Sequence, residues 1–509
     1  MLAAPAQAVA TAVLVVPDFD PERFADEGAV GLMVPGAGSE VSRRGALAAL
    51  VRGEVETSLT GGVPDGDPII ELAEQPAEVT FYVALPPPGT HHNVRRYPIA
   101  VVGGGYEGIL ESSSTRIPGL VSIADVARSA VALEAGDEPP ITSRSAEDAP
   151  AELRDLDERL DHSHDARFWA NLVLVAELLL ASLLALALRM PLLGRAALLL
   201  GPAWLSGTLA LSALDVERLR AIVPTLAAAA PPVALGAAAL ASTRARLLGL
   251  LVAFLGAYGI VLAFWPEVNS LAAIGPHPDG GGRYFGLTNQ TATLLLGPAL
   301  AAGSLAGLPW LVAVALVTIA VVGLSPMGAD GGGLLVALTG FGVLALRLAE
   351  LPLTARRLAA LGAGVVVAGV LLVAIDAAAG GSSHVTRSLG GGPSSFADDL
   401  AHRVEVSVRG ATSSAWTLIY TAGGLAVLVW LATRRPRHAV LDAMLAALAV
   451  SFVVNDTPQD VAAFGALGAL SLLAWRRTEQ AVDSARDARL RLDSRRAGAG
   501  LPGRRLRRW

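Results

Sequence analysis

The chain has 509 residues, of which 53% are hydrophobic and only 17% charged, with a net charge of −6 and a mean hydropathy of +0.53; an ordinary soluble domain carries about 25% charge. It contains no cysteine, which excludes a disulfide framework, a thiolate metal site and a cysteine nucleophile. The basic residues are all arginine, a usage that suggests a GC-rich bacterial genome, and the net charge averages an acidic N-terminal part with a basic C-terminal tail.

Residues 1–8 (MLAAPAQA) read as the end of a truncated signal peptide, because Ala6-Gln7-Ala8 fits the small-x-small cleavage pattern. Residues 9–135 read as a small α/β domain. Its strand candidates are Ala12–Val16, Val30–Val34, Val79–Leu85 and Ile99–Val102, and its helical candidates are Pro21–Glu27, Arg44–Arg52 and Ile123–Leu133. Strands alternating with helices predict a parallel or mixed sheet covered by helices. Residues 136–165 are acidic and rich in Pro, Ser and Asp, and are expected to form a linker running into a helix.

Residues 166–477 form the membrane part. Its apolar stretches are expected at 168–188, 196–213, 221–241, 247–265, 285–305, 309–325, 333–349, 358–376, 414–432, 439–454 and 460–475, about eleven spans in all. About 20 apolar residues cross a hydrocarbon core of about 30 Å. Arginines follow the odd-numbered spans except the fifth: Arg189 and Arg195, Arg244 and Arg246, Arg347, Arg356 and Arg357, Arg434, Arg435 and Arg437, then Arg476 and Arg477. Arg218 and Arg220, after the second span, are the main exception. The positive-inside rule then predicts a multi-pass protein of the plasma membrane, with an extracytoplasmic N-terminal domain and residues 478–509 as a basic cytoplasmic tail. That tail is expected to meet anionic lipid rather than nucleic acid.

The expected outer loops hold the polar motifs. Gly280–Thr291 (GGGRYFGLTNQT) sets Arg283 at a membrane boundary, with Asn289 and Gln290 one turn inside. Arginine there can grip a phosphate or carboxylate bidentately. Met327–Gly333 (MGADGGG) places Asp330 among small residues, as a base, a metal ligand or the partner of Arg283. Asn455–Asp460 (NDTPQD) interrupts an otherwise apolar stretch, as helices broken at a cavity do. Unpaired polar groups in hydrocarbon cost several kcal/mol, so Arg283, Asn289, Gln290, Asp330, Asn455, Asp456 and Asp460 are expected to gather at one polar site. Glu177 lies inside the first span, as a functional group or a helix-packing one. His384, Arg387, His402, Arg403 and Arg409 read as a solvated loop.

Val15-Val16-Pro17-Asp18-Phe19, the following Phe24–Met33, and Ser112–Val121 (SSSTRIPGLV) with Asp125 resemble segments of an alkaline-phosphatase-like domain. That domain is found in uncharacterised bacterial polytopic membrane proteins. The resemblance implies that Asp18 is the remnant of a metal ligand. No full nucleophile and ligand set accompanies it, so the domain is expected to be a degenerate pseudoenzyme without metal. Arg283, Gly286 and Asn289 are also loosely similar to O-antigen ligase-like membrane enzymes, with Ala329-Asp330 replacing the usual Ser-Arg.

These readings lead to a cell-envelope membrane protein handling an anionic glycan or lipid-linked substrate at the outer face, with membrane lipid as its constant partner. A transporter with a site at broken helices and a non-catalytic scaffold are the alternatives. The residues name no cofactor and leave enzyme and carrier open.

Overall fold

The computed structural model describes residues 8–55, 67–216, 219–276, 278–280, 283–378, 412, 414–455 and 457–499. The signal-like residues 1–7, Asp456, the loop histidines and arginines between 384 and 409, and the end of the tail lie outside the described residues.

The N-terminal domain is built on a seven-stranded mixed sheet. Its strands are β1 (Thr11–Val16), β2 (Gly28–Val34), β4 (Val79–Ala84), β6 (Tyr97–Val102), β7 (Gly108–Ser112), β8 (Leu120–Ser122) and β9 (Ile141–Arg144). The order is β1-β4-β6-β2-β7-β9, with β8 also paired to β2. β3 (Glu40–Ser42) and β5 (Thr90–His92) form a separate ribbon. β2 (GAVGLMV) is buried along its whole length, as a continuous small and apolar run at the sheet centre should be. Helices α1 (Arg43–Arg52) and α2 (Ile123–Ala135) cover one face through Ala46, Leu50 and Val126. The helix expected over Pro21–Glu27 is only a 3₁₀ turn, Pro21–Phe24, capped by Asp20.

The other face of the sheet corrects the linker expectation. Residues 136–165 hold edge strand β9 and the start of α3 (Ala149–Leu188), one unbroken helix of 40 residues. At 1.5 Å per residue it is about 60 Å long, twice a hydrocarbon core. Its first turns lay Ala149, Leu153, Leu156 and Leu160 against Val30, Leu32, Ile109 and Leu120. Their acidic neighbours Asp157 and Asp161 both pair with the buried Arg96, at 2.6 and 2.7 Å. The domain is therefore joined to the bundle by a packed face, because α3 carries a leucine stripe inside its polar stretch.

Eight helices among the described residues are long and apolar enough to cross a membrane. They include α3, α4 (Pro191–Ala213), α5 (Leu219–Leu240) and α6 (Arg244–Phe264). After the short α7 (Pro266–Ser270) come α8 (Asn289–Gly323), α9 (Gly331–Leu348), α10 (Ala355–Ala378) and α11 (Ala415–Thr433). The expected count of about eleven is not confirmed by length and composition, because its remaining stretches fall in helices that are merged, short or partly polar. The fifth and sixth stretches lie within α8, which leaves helical geometry at Gly307 (φ 66°, ψ 178°), two residues before Pro309. A methyl group on Gly303 would meet Leu311 at 2.9 Å; in a straight helix eight residues span about 12 Å, so the chain folds back there. The tenth stretch is α12 (Ala439–Val454), only 16 residues long, and the eleventh opens the mixed polar and apolar α13 (Pro458–Ala499).

Large apolar residues left exposed on these helices, such as Leu180, Leu183, Val312 and Val429, form the surface that lipid would cover. The two ends differ. At the end away from the α/β domain, Arg195 pairs with Glu479 at 2.6 Å, and Asp442 pairs with Arg347 at 3.0 Å and Arg437 at 2.6 Å. The end beneath the α/β domain holds the polar loops.

Candidate functional site

Two loops meet backbone to backbone beneath the domain. Gly286 has φ 83°, and a methyl group there would lie 2.3 Å from the Gly328 carbonyl oxygen. Only glycine allows both this conformation and this approach. The Leu287 N–H donates to the same carbonyl at 2.9 Å, and Arg283 donates to the carbonyls of Leu287 and Gly328. Of the roles weighed for Asp330, pairing with Arg283 is not found. Among the described residues no ion pair joins them, because the guanidinium is bonded to backbone oxygens that tie the two loops.

Asn269 supports this junction from below. It is fully buried, donates to the Gly286 carbonyl at 2.7 Å and accepts from the Tyr258 hydroxyl at 3.1 Å. Ser270 donates to the Tyr284 carbonyl at 2.6 Å. Neither residue was singled out from the sequence, although both lie in the polar loop and a buried amide at a span end is a detectable signal.

Asp330 caps α9: its Oδ1 accepts from the Gly333 N–H at 2.9 Å. The residue is 3% exposed, and its Oδ2 is buried without a hydrogen-bond partner. Asn455 follows α12, and its Nδ2 donates to the Ser451 hydroxyl at 2.8 Å. A methyl group on Gly332 would lie 2.6 Å from Asn455 Oδ1 and 3.6 Å from Asp330 Oδ1, so the glycine is what lets the two side chains come together. Asn289 opens α8 and donates to Thr457 at 2.9 Å, linking the first motif to the third. Gln290 points elsewhere, donating to Asn171 of α3 at 2.6 Å. Asp460 is half-buried in the first turn of α13. A cavity of about 20 Å³ lies among these segments, lined by Thr293, Thr318, Gly333, Ser451 and Asn455 with apolar neighbours.

The α/β domain reaches this junction through the Ser112–Val121 segment. Arg116 lies over the Phe285 ring at 3.9 Å and donates to the Ser325 carbonyl at 3.3 Å. In return Tyr284 packs with the core between sheet and α3. Its burial pushes the phenol above its usual pKa, against the effect of Ser122 and with that of Asp125. Asp125 accepts from both Ser112 and Ser114. A second contact joins α3 to the loop before Arg283: Asp279 is nearly buried and pairs with His164 at 2.6 Å and Arg167 at 3.2 Å.

Two further candidates have structural partners. Glu177 accepts from the Trp204 indole N–H at 2.7 Å, which joins α3 to α4. Asp18 forms a surface ion pair with Arg95 at 2.6 Å.

Fold and junction together define a polytopic α-helical membrane protein whose small α/β domain is seated on a polar junction at one end of the bundle. Compared with known protein families, curated proteins and solved structures, the chain finds no match.

Proposed function

We propose that this protein handles an anionic, lipid-linked substrate, of the kind that carries envelope glycans, at the outer face of the plasma membrane. The observation that carries this reading is an exposed apolar strip that runs up to the polar junction. Helix α12 packs between α9 and α13, while α10 leans on α9 and α11 on α13. Ala449 and Val453 on α12 remain exposed at helical spacing and lead up to Asn455. A lipid chain lying along that strip brings its headgroup to the Asn455–Thr457 break, beside Asn289. Entry from the side also suits the size of the cavity, about 20 Å³, which is space for one water and not for a sugar.

The sidedness rests on charge. Arg195, Arg347 and Arg437 gather at the far end, and by the positive-inside rule this supports a cytoplasmic far end and an extracytoplasmic α/β domain. The α/β domain is then a non-catalytic cover seated by Arg116. A carrier is the second reading, favoured by the helix breaks around Asp330 and Asn455.

The test is photolabelling of the full chain in lipid nanodiscs with a photoactivatable polyprenyl phosphate. Adducts should concentrate on residues 445–458 and be competed by unlabelled polyprenyl phosphate but not by a zwitterionic phospholipid. Labelling spread evenly over the exposed helices would reject the reading.

A further inference from the structure

The groups around the small cavity share one property: they present lone pairs. Thr293 spends its hydroxyl proton on the Asn289 carbonyl at 2.7 Å, and Thr318 on the Val314 carbonyl at 2.9 Å. Asn455 donates one amide N–H to the Ser451 hydroxyl at 2.8 Å, and its Oδ1 is an acceptor. All three residues line the cavity, and so does Gly333. Asp330 Oδ2 lies 2.5 Å from the point where a methyl group on Gly333, a lining residue, would sit. It is buried and has no hydrogen-bond partner. One carboxylate oxygen and several neutral oxygens thus lie around one small space; the Ser451 hydroxyl, also in the lining, accepts from Asn455 and keeps its own proton.

Such a set is costly when left alone, because a buried anion needs a compensating charge. Arg283 does not supply it, since its guanidinium is bonded to the Leu287 and Gly328 carbonyls. The positive end of α9 compensates only in part, through the Gly333 N–H on the other carboxylate oxygen. The missing partner must be small, since the cavity of about 20 Å³ holds about one water-sized sphere. It must be a hard cation, because every ligand is oxygen. It should carry a single charge, because divalent sites of this kind draw on several carboxylates or on bound waters.

We propose that Asp330, Asn455, Thr293 and Thr318 form a binding site for a dehydrated monovalent cation of sodium's size. Binding draws α8, α9 and the end of α12 together, because each contributes an oxygen. The glycines at 332 and 333 belong to the site, since a side chain at either would occupy the space beside the carboxylate. The proposal goes beyond the lipid-linked substrate and needs no lipid to be tested.

The experiment uses the full-length protein in detergent, at constant ionic strength. Sodium chloride is compared with potassium chloride and with N-methylglucamine chloride. Sodium should raise the melting temperature by about 2–4 °C over N-methylglucamine when it is present well above its dissociation constant. Asp330→Asn keeps an N-cap on α9 and should abolish the sodium-specific rise. Radioactive sodium should bind the wild-type chain at one ion per protein, a readout that does not depend on any variant folding. Equal melting temperatures in all three salts together with no sodium binding would mean that the cavity holds only water, and would overturn the proposal. So would a sodium-specific rise that survives in Asp330→Asn.

Discussion

The two ends of the helical bundle solve the problem of polar groups near lipid in different ways. At the end away from the α/β domain, charges meet charges: Arg195 with Glu479, and Arg347 and Arg437 with Asp442. Beneath the α/β domain, most bonds run from amides, hydroxyls and the guanidinium groups of Arg283 and Arg116 to backbone carbonyls or to neutral side chains. The first arrangement fixes helix ends, and the buried Trp475 indole nitrogen it leaves without a hydrogen-bond partner is a donor, not an acceptor. The second leaves a buried carboxylate oxygen without a partner, and glycines there leave room beside it. A region that holds unspent acceptors and space is the region where a ligand has something to do.

The contrast can be broken most strongly through glycine. A methyl group on Gly328 would lie 2.3 Å from the Val322 carbonyl oxygen and 2.4 Å from that of Val321. Gly328→Val should therefore abolish the monodisperse peak in fluorescence-detected size-exclusion chromatography, whereas Gly249→Val, at a position with open space around it, should leave the peak intact.

At the far end the largest effect should come from Asp442, whose carboxylate is 3% exposed and serves two arginines. Asp442→Ala leaves both guanidinium groups without their carboxylate. It should cost about 3 kcal/mol, the low end for breaking a buried pair, because Arg347 stays a third exposed. Denaturant unfolding of the purified protein measures it. Photolabelling of residues 445–458 should be unchanged, since that pair lies at the other end.

Arg116→Ala should have the smallest effect on stability, on the order of 1 kcal/mol for a cation–π contact and one hydrogen bond. It should act locally. Hydrogen exchange should quicken in residues 284–288 and 325–329, and stay as it was around Asp442.

The strands expected over 12–16, 30–34, 79–85 and 99–102 were legible because buried β runs are apolar and bounded by turn residues. The start of α3 was not. Its acidic composition masks Leu153, Leu156 and Leu160, although their spacing is helical and Asp148 stands at the cap position. The polar motifs stood out because polarity is rare in hydrocarbon-spanning sequence. Their partners did not, because those contacts join distant parts of the chain: 209 residues separate Arg116 from Ser325, and 119 separate Gln290 from Asn171. Local pattern shows which side chains are expensive to bury. It does not show which neighbour meets the expense, and for Arg283 the neighbours proved to be carbonyls, which every residue carries.

A single polar centre requires the first and third polar motifs to meet, and the absence of native cysteine makes that meeting measurable. Asn289 and Thr457 touch at 2.9 Å across two helix starts, while Arg195 and Glu479 touch at 2.6 Å at the far end. The chain carrying Asn289→Cys and Thr457→Cys should form an intramolecular disulfide in native membranes under mild oxidation, seen as a reducible shift in gel mobility. The chain carrying Gly194→Cys and Thr478→Cys, at the same far end, where a methyl group on Gly194 would lie 3.1 Å from Thr478 Cβ, should do the same as a control. Cross-linking of the control pair alone would show that the bundle is folded while the two motifs lie apart, and would contradict a single polar centre beneath the α/β domain.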